Sequence, residues 1–163
     1  MGRRRYLIIV TCVLLFATAF CAQGKPDFSG TWVLVSAPVP PGAGSGFGWG
    51  SEFKTTQDAT SLRVDWIVAA QTSPTPWTEV FKLDGKENRN QPVPNPDTKA
   101  PAVVSKAVWE GSTIVIAYVL ASAEGDTTIK QVLMIEGGNL VVSSKGIAPG
   151  VGSFSTTDMY KRK

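Results

Sequence analysis

The chain has 163 residues, with 16 Lys and Arg against 13 Asp and Glu, two cysteines and no histidine. Without histidine, His-based triads, His-ligated zinc and His-ligated haem are excluded, and with Cys12 and Cys21 both at the N-terminus so are a thiol nucleophile and an intrachain disulfide in the domain that follows. Three of the basic residues are Arg3, Arg4 and Arg5; beyond them basic and acidic residues balance, so the formal excess of +3 is no sign of a nucleic-acid or anionic-membrane partner.

That arginine cluster opens a targeting pattern. Residues 6–20 are an almost unbroken apolar run followed by small and polar positions, shorter than the roughly 20 residues a membrane helix needs. The expectation is a cleaved secretory signal over 1–24, cut somewhere between Ala19 and Gly24, and a domain over 25–163 that is exported, periplasmic or secreted, with no stable membrane insertion after cleavage. Arg3-Arg4-Arg5-Tyr6-Leu7 loosely resembles a twin-arginine signal, although so apolar a core favours the general export route. Cys21 leaves a lipid-anchored alternative open, against which stands the bulky Phe20 just before it. About 140 remaining residues suffice for one domain with its own core.

Along that domain the hydrophobic period is two. Residues 28–36 put Phe28, Gly30, Trp32 and Leu34 on one face. A Pro- and Gly-rich connection over 37–51 carries Phe47 and Trp49, and reads either as a lid or partner-contact loop at a barrel mouth or as a linker folded back on the barrel. After 52–57, residues 61–68 alternate Leu62, Val64, Trp66 and Val68 against Arg63 and Asp65, and 77–83 place Trp77, Phe81 and Leu83 opposite Lys82. Further strands are predicted over 103–110, 113–121, 127–136, 140–145 and 154–161, punctuated by Gly111, Gly125 and Gly137-Gly138-Asn139, residues that supply the positive φ of tight hairpins. No stretch carries a helical apolar face with caps. Hairpin following hairpin makes an antiparallel meander, and closing it into a barrel removes the exposed edges.

These runs number nine, and an odd count would strand Arg162 at the opposite end from Trp32. Either 52–57 is loop, leaving eight strands, or the polar connection 85–100 hides a short one, making ten.

The segment Phe28-Ser29-Gly30-Thr31-Trp32, answered at the far end by Tyr160-Lys161-Arg162, resembles the calycin superfamily of lipocalins, fatty-acid-binding proteins and avidins. In these a Gly-x-Trp on the first strand packs near a basic residue on the last. The resemblance implies an all-β, antiparallel up-and-down barrel of about eight to ten strands, closed at one end by Phe28, Gly30, Trp32 and Arg162.

Parity then assigns the interior. Trp66, Trp77, Phe81, Trp109, Tyr118 and Tyr160 face inward, and Glu79, Gln131 and Asp158 share those otherwise apolar faces. Aromatic walls suit an apolar or planar guest, whereas the three polar groups either bond to each other, to water or to Tyr160, or meet a ligand. Fatty-acid-binding proteins place an Arg two residues before a C-terminal Tyr to hold a carboxylate; here Tyr160 is preceded by Asp158, which disfavours a free fatty acid and favours a neutral or cationic guest. The expected function is non-enzymatic, with no metal and no cofactor. One reading is a carrier of a small apolar molecule in the barrel; the other is a side-chain-filled barrel that binds another protein through its loops, 37–51 among them.

Overall fold

The computed structural model describes residues 24–36, 49–66, 78–90, 103–121 and 123–163. Residues 1–23 of the expected signal, both cysteines, Phe47 and Trp77 lie outside them. Ten strands follow in chain order: β1 (Gly30–Ser36), β2 (Glu52–Gln57), β3 (Ser61–Trp66), β4 (Thr78–Lys82), β5 (Asn88–Asn90), β6 (Val103–Glu110), β7 (Thr113–Leu120), β8 (Thr127–Glu136), β9 (Asn139–Ala148) and β10 (Gly152–Arg162). They form one antiparallel sheet in the order β4-β3-β2-β1-β10-β9-β8-β7-β6-β5. This is the meander expected from the hairpin spacing, and the pairing of β1 with β10 curls it into a nearly closed barrel.

The tenth strand is the one concealed in the polar connection. Asn88, Arg89 and Asn90 carry no apolar pattern, and only their pairing with Ser105, Val104 and Val103 of β6 makes them a strand. The two sheet edges, β4 and β5, meet through side chains. Val80 donates its N–H to Asn90 Oδ1 at 3.0 Å, and Asn88 Nδ2 donates to the Val80 carbonyl. The turn between them folds onto β6, with Gly85 N–H reaching the Ala107 carbonyl at 2.9 Å. Edge groups that would otherwise face each other unpaired are thereby satisfied.

The last hairpin is longer than the sequence pattern suggested. β9 runs to Ala148 rather than Lys145 because Gly146 keeps its place in the ladder, opposite both Ile129 and Phe154. A Cβ at Gly146 would strike the Thr128 carbonyl and the Phe154 ring, so the glycine marks close approach of neighbours, not a turn. Inward positions across the strands make one core, which includes Phe28, Trp32, Phe53, Leu62, Val64, Ile114, Ile116, Leu133, Leu140, Val142 and Tyr160.

Candidate functional site

The barrel has one end built for closure. Trp32 is fully buried, and its indole N–H donates to the Phe28 carbonyl at 3.1 Å and to Thr55 Oγ1 at 2.8 Å. Thr55 Oγ1 in turn donates to the Phe28 carbonyl. The Arg162 guanidinium lies 4.9 Å from the Trp32 ring centre, and its Nη2 donates to the Asp27 carbonyl at 3.1 Å. Gly30 has φ +149°, and a side chain there would press on Arg162 Nε at 3.2 Å, so glycine admits both the backbone conformation and the cation. No buried side-chain nitrogen or oxygen of Trp32, Thr55 or Arg162, which together make this plug, is left without a partner.

Trp109 belongs to the same end. Its ring stands 5.8 Å from that of Phe28 and under the Lys25 ammonium at 4.8 Å. Parity turned it inward correctly, but its height in the barrel puts it in the plug rather than beside the other candidate wall residues.

Above the plug the interior is organised around Trp49. It is only 4% exposed and packs against Phe53, Trp66 and Phe81 with ring centres 5.1, 5.3 and 6.5 Å away. Its indole N–H donates to Gln131 Oε1 at 2.8 Å, and its backbone N–H donates to the Tyr160 hydroxyl at 3.2 Å. Gln131 Nε2 passes the chain on to Ser144 Oγ at 3.1 Å. The described end of the 37–51 connection, residues 49–51, therefore carries Trp49 into the barrel interior. A tryptophan among glycines has no period, so the pattern alone did not choose between a lid at the mouth and a segment folded back on the barrel. Gln131 and Tyr160 thus make hydrogen bonds to Trp49, a residue of that connection.

Other inward groups have no such satisfaction. On β10, Asp158 is 7% exposed and its Oδ2 has no hydrogen-bond partner among the described residues; Thr156 Oγ1, one step along the same face, is likewise buried and unpartnered. Burial pushes the Asp158 carboxyl above the usual carboxylate range. The nearby Asp158 charge adds to burial in raising the Tyr160 phenol. On β4, burial pushes the Glu79 carboxyl up to about 7, against a hydrogen bond from Trp66 that pulls it down. Burial raises the Tyr118 phenol of β7, and the charge of Glu79 raises it further, so these two groups sense each other.

Of the residues expected to line the interior, Trp66, Phe81, Gln131 and Tyr160 are brought together by Trp49. Glu79 is coupled to Tyr118, and Asp158 lies beside Tyr160. Trp109 stands apart in the plug. Thr156 and Ser144 were not singled out in the sequence, where inward hydroxyls look like any other strand residue. No group of three Asp, Glu, His or Cys side chains that would hold a metal ion occurs among the described residues. The arrangement offers acceptors and hydroxyls inside aromatic walls, a binding chemistry for an apolar body with a donating or cationic head.

No family model matches the chain, and no curated protein matches it in sequence. Solved structures do. The fluorescent protein UnaG superposes with a TM-score of 0.52 at 20% identity, covering 83% of this chain and 97% of that one. Zebrafish ileal bile acid-binding protein complexed with cholic acid gives 0.55 at 18%, covering 83% and 98%. Secretory abundant heat soluble protein 4 from Ramazzottius varieornatus gives 0.57 at 12%, covering 87% and 99%. At these identities the likeness establishes the fold, a calycin-like barrel.

Proposed function

We propose that this protein is an exported binding barrel that holds one small neutral or cationic apolar molecule in its interior. The observation that carries the reading is Asp158, a buried inward carboxyl with an unpartnered oxygen, flanked by unpartnered Thr156 Oγ1 and by Tyr160. A buried polar group left unpaired costs about 1–3 kcal/mol, a cost that a ligand donating a hydrogen bond or bringing a positive charge removes. Glu79 and Tyr118 supply a second polar station, and Trp66, Phe81 and Trp49 the apolar wall. A carboxylate ligand would meet two carboxyls and no interior arginine or lysine among the inward residues named here. That zebrafish ileal bile acid-binding protein, a barrel of this architecture, has a crystal structure complexed with cholic acid supports a small-molecule guest, while the charges here favour the opposite polarity of guest.

Export rests on the basic cluster and apolar run of the first 24 residues. N-terminal sequencing of the protein recovered from its source should give a start between Ala19 and Gly24, and a chain beginning at Met1 would contradict export with cleavage. Native mass spectrometry of the same material tests the ligand: one bound neutral or cationic small molecule is expected, and a bound carboxylate would overturn the reading.

The insertion of Trp49 favours a second reading, a barrel whose middle is filled by its own side chains and whose loops bind another protein. In that case the same spectra carry a protein partner and no small molecule.

A further inference from the structure

A second candidate surface lies on the outside of the barrel, facing away from Asp158. Across β6 to β9, the register sets Lys106 opposite Ala117, Ala117 opposite Lys130, and Lys130 opposite Lys145, so three outward lysines share one row. The next row on the same face is Val104, Val119, Thr128 and Ile147, with Val119 40% and Ile147 59% exposed. The two rows, with parts of Tyr118, Ile129 and Phe154 between them, line an open groove of about 700 Å³, a volume within the range of sites for one small molecule. Glu87 lies 3.4 Å from Lys106. Lys130 and Lys145 have no ion-pair partner among the described residues, although like charges directly opposite on paired strands repel.

We propose that this groove binds a single amphiphilic anion, its acidic head between Lys130 and Lys145 and its apolar tail along Val104, Val119 and Ile147. Two facing ammonium groups form a seat that one carboxylate or sulfate fills with charge-assisted hydrogen bonds, relieving their repulsion. The adjacent apolar row lies one register step away, the arrangement an amphiphile needs and a free inorganic anion does not. The site complements the interior: acids that the inward carboxyls refuse find cations outside.

The test is methyl and lysine side-chain nuclear magnetic resonance of the mature protein titrated with dodecanoate below its aggregation concentration. Saturable one-to-one shifts are expected at Val119, Ile147, Lys130 and Lys145. Affinity should fall by roughly tenfold or more in Lys130→Gln/Lys145→Gln, be kept in Lys130→Arg/Lys145→Arg, and weaken with added salt. Circular dichroism verifies that both variants keep the fold, which exposed side chains on a sheet face allow. Equal affinity in the Gln variant would overturn the proposal. So would shifts confined to inward Leu133 and Val142, or a response to phosphatidylglycerol vesicles with none to the monomer. Because Lys130 and Lys145 lie on the face of the sheet opposite to Asp158, failure at the lysines leaves the Asp158 reading standing, and the converse holds.

Discussion

The closed end and the chamber above it are built from the same kinds of residue to opposite effect. Around Trp32 the indole N–H, the Thr55 hydroxyl, the Phe28 carbonyl and the Arg162 cation are mutually satisfied. On β10, Asp158 Oδ2 and Thr156 Oγ1 are buried oxygens with no hydrogen-bond partner among the described residues. A satisfied buried network stabilises and fixes the fold; an unsatisfied one subtracts from stability and is retained where it serves binding. The plug is what holds the barrel; under the proposed function, the chamber is where stability is forgone for a guest.

Substitutions sharpen that contrast. The largest effect belongs to the plug: Trp32→Ala should destabilise by about 3–5 kcal/mol as a large aromatic truncation in a packed core, read as a lowered urea midpoint with an unchanged m-value. An unchanged midpoint would dissolve the distinction between the two regions.

In the chamber the expected sign reverses. The Glu79 carboxyl titrates at about 7 when folded, above its ordinary 4.5. Between these values the native state keeps a proton the unfolded chain has released, so stability falls as pH rises from about 4.5 to 7 and levels off above. Glu79→Gln should flatten that part of the curve, gaining on the order of 2–3 kcal/mol relative to the parent near neutral pH. A Gln variant that is less stable at pH 7.5 than at pH 5 by as much as the parent would show that Glu79 is solvated.

Smaller effects follow at the plug. Thr55→Val keeps the shape but removes one acceptor of the Trp32 indole and one donor to the Phe28 carbonyl, for a loss of about 1–2 kcal/mol. Arg162→Met removes the cation over Trp32 and should cost about 0.5–1 kcal/mol, since that guanidinium is exposed. Smallest of all, Asp158→Asn should change the denaturation midpoint by less than either while altering the preference between cationic and neutral ligands. A loss comparable to that of Trp32→Ala would mean Asp158 is part of the scaffold.

How much of this was legible in the sequence divides along the same line. Phe28, Gly30, Trp32 and Arg162 were readable because the plug is made at the two ends of the chain, where face and position are fixed together. The period of two gave the inward set over most strands, including Glu79, Gln131 and Asp158. Parity gives a face and not a height, so Trp109 was placed with the chamber although its ring packs against Phe28. Asn88–Asn90 is a strand by virtue of β6 alone and has no local signature. Apart from its near neighbour Phe53 on β2, Trp49 is fixed by contacts with β3, β4, β8 and β10, distant in sequence and invisible to any window around it. The lysine row is a matter of register: each of Lys106, Lys130 and Lys145 is outward by parity, but their alignment depends on the length of every intervening hairpin.

The central claim is that the chamber prefers a neutral or cationic apolar guest, and the most direct measurement is tryptophan fluorescence of the mature protein titrated with three ligands of equal chain length: dodecylamine, dodecanol and dodecanoate. Trp49 and Trp66 form the chamber wall, and both the emission and its saturation report on occupancy there. The account predicts a saturable response to the amine and the alcohol, a shift of preference toward the alcohol in Asp158→Asn, and little or no response to dodecanoate. Tight saturable quenching by dodecanoate, with none by the alcohol or the amine, would contradict it.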